Sequence, residues 1–414
     1  MIETSKERVI KDFKRMSEFN ATPGKGVTRF SYTREDNKAR EYLISSMKEL
    51  GLEIKVDPVG NIRARRKGID NSAPAVMSGS HIDTVRHGGM FDGVAGVVGT
   101  LEAIRVLEEN AIKTILPVEL VIFAEEEGSN FGSTLAGSKA MTGKYRVEDL
   151  KRIKNDQGVS MYDAAKKCGY SPDNLEKHIL KREEVEAMFE LHVEQSRVLD
   201  SISIPVGIVE AIAGMKSLQV VIKGEANHAG ATPMNLRKDP MVAAGMIISH
   251  LEKIVTTKAF PSTVGTVGRI KCLPDVANVI PGEVCFSLDI RDVKAEGVDI
   301  VIAELEQILR DICRERGLSY ELNYVGTSEP VILSDRCIAT IEKASSNISI
   351  SYKKMNSGAV HDACLLADIT DVGMIFVPSI AGKSHVPDEK TDYNDIKLGF
   401  DVLLGTILEI AGVK

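Results

Sequence analysis

Apolar and polar residues follow two different periods in the first third of the chain. Residues 33–51 predict a helix, because apolar residues recur on one face between a capping Thr33 and a terminating Gly51. A helical period also spans 93–109, and short apolar runs predict strands at 52–57, 61–66, 74–79 and 117–124. The last run is almost continuously apolar, as in a strand covered on both faces. Alternating strands and helices of this kind predict a layered α/β domain with a mostly parallel sheet.

The pattern changes near residue 213. Residues 217–223 alternate apolar and polar positions, as in a half-exposed antiparallel strand. The elements predicted after it are a helix at 239–255, strands at 263–271 and 282–291, a helix at 294–316 and a strand at 318–326. That order resembles a ferredoxin-like α+β unit.

The α/β pattern returns after about residue 330, with a helix, an apolar strand at 373–377 and a terminal helix from about 392. We therefore predict a catalytic domain that is interrupted by an inserted domain. Its first part comprises residues 1–212, the insertion comprises 213–330, and its second part comprises 331–414.

Composition and charge narrow the class of protein. The 414 residues are 43% hydrophobic and 27% charged, the balance of a globular protein. A net charge of −7 argues against a nucleic-acid or anionic-membrane partner. The six cysteines form no C-x-x-C pair, and no stretch approaches the roughly 20 apolar residues of a membrane span. The N-terminal segment lacks the apolar core of a signal peptide, so we expect a cytoplasmic protein.

The first candidate site follows the predicted strand at 74–79. His81 and Asp83 lie two residues apart there, and a carboxylate so placed can fix the tautomer of a metal-binding histidine. Asp92 stands where the next helix begins. It is either a metal ligand or a helix N-cap, since aspartate is a favoured cap.

Two further groups of polar residues follow predicted apolar runs. Glu125, Glu126 and Glu127 are adjacent at the end of the 117–124 strand, where open α/β sheets place their sites. An acidic triplet is also typical of a solvated face. His192 and His385 complete the set of candidate donors. Zinc and manganese accept such mixed imidazole and carboxylate ligands.

Several motifs carry a family resemblance: GSHIDTV, GGMFDGVAGV, AEEEGSNF, ELHVEQ, GEANHAGATPMNLRKDP, NVIPGEVCFSLDIRD, SGAVHDA and GKSHVPDE. Through them nearly the whole chain resembles the amidase, hydantoinase and carbamoylase family within the dinuclear-metal aminoacylase and carboxypeptidase superfamily. The resemblance is strongest to bacterial N-carbamoyl-L-amino-acid hydrolases, and allantoate amidohydrolases share most of the motifs.

The resemblance implies a role for each matching residue. The implied ligands of two divalent ions (zinc, manganese or cobalt) are His81, Asp92, Glu127, His192 and His385, with Asp92 bridging. Asp83 is implied as the partner of His81, Glu126 as the general base, and His228 as the group that polarises the scissile carbonyl. The implied substrate contacts are Gln195, Asn278, Arg291, Gly358 and Ala359, with Arg291 holding the carboxylate. Without the family resemblance, the sequence around His228 and Asn278 is also typical of turns, and Arg291 is also typical of a residue in a surface ion pair.

The resemblance also implies an activity and an assembly. The expected reaction is metal-dependent hydrolysis of the carbamoyl C–N bond of N-carbamoyl-L-amino acids to the amino acid, CO₂ and ammonia. Allantoate hydrolysis is the nearest alternative, followed by an aminoacylase or dipeptidase and by a catalytically dead binding protein. The inserted domain is implied to be a lid and dimerisation domain, which brings His228 into the site of the other subunit of a homodimer.

Some positions depart from the family pattern without removing an implied ligand or the base. They are Asn130, Ser196, Ala213, Met215, Ser217, Val360 and Lys383. Several are expected to lie near the substrate, so they bear on specificity more than on chemistry.

Overall fold

A computed structural model describes residues 2–414. Its helices are α1 (Lys6–Glu18), α2 (Arg34–Glu49), α3 (Val94–Glu109), α4 (Ala136–Met141), α5 (Val147–Arg152), α6 (Met161–Lys167), α7 (Val198–Ile202), α8 (Pro240–Thr257), α9 (Ala295–Glu315), α10 (Asp335–Asn347), α11 (Ala363–Leu366) and α12 (Tyr393–Ala411). No helix within this described range is long and apolar enough to span a membrane.

The first seven strands are β1 (Glu53–Val56), β2 (Ile62–Arg66), β3 (Ala75–His81), β4 (Val118–Phe123), β5 (Val185–Val193), β6 (Val206–Ile212) and β7 (Gly214–Lys223). The strands that follow are β8 (Asn227–His228), β9 (Val264–Thr266), β10 (Ile270–Leu273), β11 (Val279–Ile280), β12 (Glu283–Asp292), β13 (Ser319–Ser328), β14 (Val331–Ile332), β15 (Tyr352–Ser357) and β16 (Asp371–Val377).

The described chain divides into two compact units. Unit 1 comprises the residues up to Glu210, Leu333–Ser357 and His361–Lys414, and unit 2 comprises Ala211–Ile332 and Gly358–Val360. The lid and dimerisation role expected for residues 213–330 stays a prediction.

The sheet of unit 1 has its parallel strands at the centre. Its order is β1-β2-β4-β3-β5-β16-β6, and β15 also pairs with β6. The four neighbours β4, β3, β5 and β16 run parallel, whereas the pairs β1–β2, β2–β4 and β16–β6 are antiparallel. Every residue of β3 and β4 is buried, as is usual for central parallel strands covered on both faces. The predicted α/β class with a mainly parallel central sheet is therefore confirmed.

Unit 2 contains a five-stranded antiparallel sheet, in which four strands follow the order β10-β12-β7-β13 and β9 also pairs with β12. Helices α8 and α9 pack on one face of it, where Leu218, Val220, Phe286 and Leu288 are buried. The element order β7-α8-β10-β12-α9-β13 is the βαββαβ order of a ferredoxin-like unit.

One predicted strand is divided in the structure. Residues 263–271 were expected to form a single strand, but β9 and β10 are separate. Thr266 pairs with Asp289 and Ile270 with Phe286, so the register along β12 shifts by one residue between them. An extra residue in one strand of an antiparallel pair makes a β-bulge, which interrupts the strand.

Candidate metal centre

The candidate ligands lie at one edge of the sheet of unit 1. His81 is the last residue of β3, Glu127 follows β4, His192 is the penultimate residue of β5, and His385 lies in the loop after β16. These four strands are parallel neighbours in the order β4-β3-β5-β16. Their carboxyl ends therefore meet at the same edge, where open α/β sheets bind ligands.

Asp92 reaches this edge from the loop between β3 and α3. The N-cap of α3 is Gly93, which has a φ of 64° and makes no side-chain capping hydrogen bond. A Cβ atom at Gly93 would lie 2.4 Å from the ring of His81. The positive φ and this close approach both require glycine. Of the two alternatives for Asp92, the helix N-cap is therefore excluded, because Gly93 is the N-cap and the carboxylate of Asp92 faces the histidines.

The carboxylate of Asp92 belongs to two groups of candidate ligands. Its Oδ1 lies 3.4 Å from Nε2 of His81 and 3.4 Å from Nε2 of His192. Its Oδ2 lies 3.2 Å from Nε2 of His385, which is 3.3 Å from Oε1 of Glu127. Within each group the ligand atoms all lie within 4.8 Å of one another. The geometry thus brings together all five residues for which metal binding was expected.

The hydrogen bonds of the histidines show that this donor set fits cations. Nδ1 of His81 lies 3.0 Å from the carbonyl of Asp83, and Nδ1 of His192 lies 2.9 Å from the carbonyl of Val193. A carbonyl only accepts, so each Nδ1 donates and the neutral ring presents a lone pair at Nε2. Both Nε2 atoms lie 3.4 Å from Oδ1 of Asp92, and Nε2 of His192 also accepts the N–H of Gly93 at 3.1 Å. Acceptors that converge in this way repel one another unless a cation or a proton lies between them.

Unpaired buried oxygens lie in the same place. Oε1 of Gln195 has no hydrogen-bond partner among residues 2–414, and Oε1 of Glu127 has no hydrogen bond there beyond its 3.3 Å ion-pair contact with His385. Nε2 of Gln195 donates to Oδ2 of Asp92 at 2.8 Å. Buried polar atoms are normally paired, so these oxygens indicate that a ligand completes the site.

The ionisation of the carboxylates follows from burial and from the facing histidines. Burial alone would raise the pKa of Asp92, but His192, His385 and His81 hold it well below its usual value. Burial and the nearby Asp92 raise the pKa of Glu127 to about 7. The hydrogen bond to Asp92 raises the pKa of His385 to about 9. Asp92 is therefore the anionic centre that both groups share.

Glu126 lies beside the ligands without belonging to either group. Its Oε2 is 3.6 Å from Nε2 of His81, and burial raises its pKa well above the usual value. Asp83 holds the loop that carries it, since Oδ1 and Oδ2 of Asp83 accept the N–H groups of Glu126 and Glu127 at 3.2 and 3.1 Å. The carboxylate of Asp83 is 3.7 Å from Nδ1 of His81, farther than the backbone carbonyl of the same residue.

Two residues that sequence reasoning missed hold Asp92 in place. Oε1 of Glu389 accepts the N–H groups of Phe91 and Asp92 at 2.9 and 3.2 Å. The hydroxyl of Ser384 lies 2.8 Å from Oδ2 of Asp92 and 3.0 Å from Oε2 of Glu389. Both residues belong to the quoted motif GKSHVPDE, but no spacing rule marks a buried carboxylate that binds backbone N–H groups.

The remaining predicted site residues lie in unit 2. His228 in β8 pairs with Val279 in β11, and the carbonyl of the adjacent Asn278 accepts the N–H of Ala229 at 3.0 Å. Arg291 in β12 donates from Nη1 to the carbonyl of Gly358 at 2.9 Å. Ala359 follows Gly358 in the short segment assigned to this unit.

Ligand groups at the carboxyl edge of a parallel sheet are the arrangement expected of a metal-assisted hydrolase. Residues 77–409 match the family described as Peptidase family M20/M25/M40, and the chain belongs to that family.

Relatives of known structure or name agree with this class. The chain is 39% identical over 398 residues to the N-carbamoyl-L-amino-acid amidohydrolase of Paenarthrobacter aurescens, covering 96% of each chain. It is 35% identical over 399 residues to the allantoate amidohydrolase of Escherichia coli strain K12, again covering 96% of each. A crystal structure of an amidase of the hydantoinase/carbamoylase family from Burkholderia multivorans matches with a TM-score of 0.93 and 32% identity, over 99% of this chain and 98% of that chain. The chain is therefore an amidohydrolase, and the predicted family is confirmed.

Proposed function

We propose that the protein hydrolyses the carbamoyl C–N bond of N-carbamoyl-L-amino acids to the amino acid, CO₂ and ammonia. The observation that carries the proposal is the pair of ligand groups that share Asp92, with the carboxylate of Glu126 beside them. The 39% identity to an N-carbamoyl-L-amino-acid amidohydrolase supports this substrate class. The six cysteines are free thiols, as is usual in a reducing cytoplasm, and we place the reaction there.

The proposed cofactors are two divalent cations. His81, Asp92 and His192 would hold one, and Asp92, Glu127 and His385 the other. When bound, such a pair lowers the pKa of water and polarises a carbonyl. Zinc, manganese and cobalt all suit imidazole and carboxylate donors.

Glu126 is the proposed general base. Its carboxylate is close enough to the ligands to reach the attacking water, and it is not itself taken up as a ligand. It removes a proton from the water as the ureido carbonyl is attacked and then gives that proton to the leaving nitrogen. A positioned acid–base group contributes about 10²–10⁴-fold to rate.

His228 is the proposed donor to the developing oxyanion. Its Nδ1 accepts the N–H groups of Gly230 and Ala231, both at 3.1 Å. In the neutral ring the proton is therefore on Nε2, and His228 as a residue is exposed. A fixed N–H donor of this kind stabilises charge that develops in the transition state. We propose that it acts in the site of the other subunit of a homodimer.

The proposed substrate contacts are Gln195, Asn278, Arg291, Gly358 and Ala359, with Arg291 binding the carboxylate. Arginine suits this role because its planar fork donates two parallel hydrogen bonds. Allantoate is the second candidate substrate, since it also offers a carboxylate and a ureido carbon. The 35% identity to an allantoate amidohydrolase supports allantoate as this second candidate.

The substrate class is tested by ammonia release after loading with manganese or zinc. We expect N-carbamoyl-L-amino acids to be hydrolysed with a higher kcat/KM than allantoate, and N-acetyl amino acids to release no free amino acid. Hydrolysis of allantoate alone would make allantoate the substrate. Hydrolysis of the acetyl compounds alone would make the protein an aminoacylase.

The dimer is tested by complementation between Glu126→Gln and His228→Ala chains, each inactive alone. If His228 acts across the interface, a heterodimer contains one complete site. Statistical mixing makes half of the dimers heterodimers, so we expect roughly a quarter of the wild-type activity. Mixed chains that are shown to form heterodimers and remain inactive would contradict this arrangement.

A further inference from the structure

The sheet of unit 2 has one face that the helices leave open. Along β12 the buried side chains, such as Leu288 and Ile290, face α8 and α9. Successive side chains of a strand point to opposite faces, so Asp289 and Arg291 lie on the open face. Both are partly exposed, with side-chain exposures of 37% and 31%.

The strand register fixes which residues stand beside Arg291 on this face. Arg291 pairs with Met215 in β7 on one side and with Val264 in β9 on the other. We call Met215, Arg291 and Val264 the Arg291 row. Directly opposite residues of antiparallel strands have their Cβ atoms about 4.5–5.5 Å apart on the same face. Arg291 is therefore flanked on both sides by an apolar side chain.

The guanidinium of Arg291 is held in place by its own unit. Nε and Nη2 donate to the two carboxylate oxygens of Asp289 at 2.7 and 3.1 Å, and Nη1 donates to the carbonyl of Gly358 at 2.9 Å. A guanidinium has five N–H groups, so two remain for a ligand. Arginine commonly binds a carboxylate through two N–H groups, so the two that remain are enough to bind one.

The flanking residues are accessible to such a ligand. Val264 is 53% exposed, and Met215 is half-buried. An amino acid carries its side chain on the carbon next to its carboxylate. The side chain of an amino acid whose carboxylate is bound at Arg291 can therefore reach Met215 or Val264.

We propose that Met215 and Val264 form the walls of the subsite for the substrate side chain and favour N-carbamoyl amino acids with apolar side chains. The inference rests on the proposed function, in which Arg291 binds the carboxylate. It also separates the two candidate substrates. In allantoate the carbon next to the carboxylate carries a second, polar ureido group, which gains nothing from apolar walls and loses hydration against them.

The inference is tested by substitutions that keep shape and change polarity. Met215→Gln conserves the length of the side chain, and Val264→Thr conserves its β-branching. The readout is the ratio of kcat/KM for N-carbamoyl-L-leucine to kcat/KM for N-carbamoylglycine, which has no side chain. We expect the wild-type ratio to be well above one and to fall roughly tenfold in the double variant, the effect of about one methylene in an apolar pocket.

Val325→Thr is the matched control, because Val325 is a 70% exposed valine in the same unit but outside the Arg291 row. We expect it to keep the wild-type ratio. An unchanged ratio in the double variant, or an equal loss for both substrates, would overturn the inference while leaving the proposed function intact. A wild type that hydrolyses neither N-carbamoyl compound would overturn the proposed function itself.

Discussion

Glu126→Gln is expected to lower kcat by at least about 10²–10⁴-fold while the protein keeps its bound metal. The amide has the same shape but cannot take a proton from water. Glu126 is not a member of either ligand group, so the five candidate ligands stay in place. The measurement is kcat for N-carbamoyl-L-leucine together with the metal content of the same sample.

Glu125→Gln provides the matched control in the same acidic triplet. Oε1 of Glu125 accepts the N–H groups of Asn130 and Phe131 at 3.0 and 2.8 Å, and an amide oxygen can accept both. Burial and the nearby Asp83 raise the pKa of Glu125 to about 8, so the side chain is mainly protonated and neutral at pH 7. We expect little change in kcat. Wild-type turnover by Glu126→Gln would contradict the proposed base.

Asp92→Asn is expected to remove activity by a different route, through loss of metal. Asp92 is the only residue common to both candidate ligand groups found in residues 2–414. The amide of asparagine has no negative charge that would attract two cations, and it also places N–H donors toward the histidines. Loss of a residue that only hydrogen-bonds to a metal ligand weakens metal affinity roughly 10–100-fold. Loss of the ligand shared by both groups should therefore weaken metal affinity by more than this factor.

The measurement for Asp92→Asn is the metal content after dialysis, with circular dichroism to confirm that the variant is folded. Ser384→Ala serves as a milder comparison, because it removes only the hydroxyl 2.8 Å from Oδ2 of Asp92. We expect its metal affinity to lie between those of the wild type and Asp92→Asn. An Asp92→Asn protein that retains two ions per chain would exclude Asp92 as the bridge.

Periodicity predicted the elements with strong patterns and missed those without. The helices at 33–51 and 93–109 match α2 and α3 within two residues, because each has a clear apolar face or terminating glycine. Strand β6 was missed because its sequence VGIVEAI has no alternation that separates it from a helix. The division between β9 and β10 depends on the register with β12, which is a long-range property.

The candidate ligands could be predicted because each lies in a specific motif, at the end of a strand or in the loop that follows it. The residues that hold these ligands in place could not be predicted from the sequence. Glu389 binds backbone N–H groups of residues almost 300 positions away in the chain, and only the fold brings them together. The pairing of Arg291 with Met215 and Val264 likewise follows from strand register, not from spacing along the sequence.

Titration of the metal-free wild type shows whether hydrolysis requires two bound ions. Mn²⁺ is added stepwise, and both bound metal and hydrolysis of N-carbamoyl-L-leucine are measured at each step. We expect no turnover without metal and a maximum at two bound ions per chain. Full activity in the metal-free protein, or a maximum with no bound ion retained, would contradict this requirement.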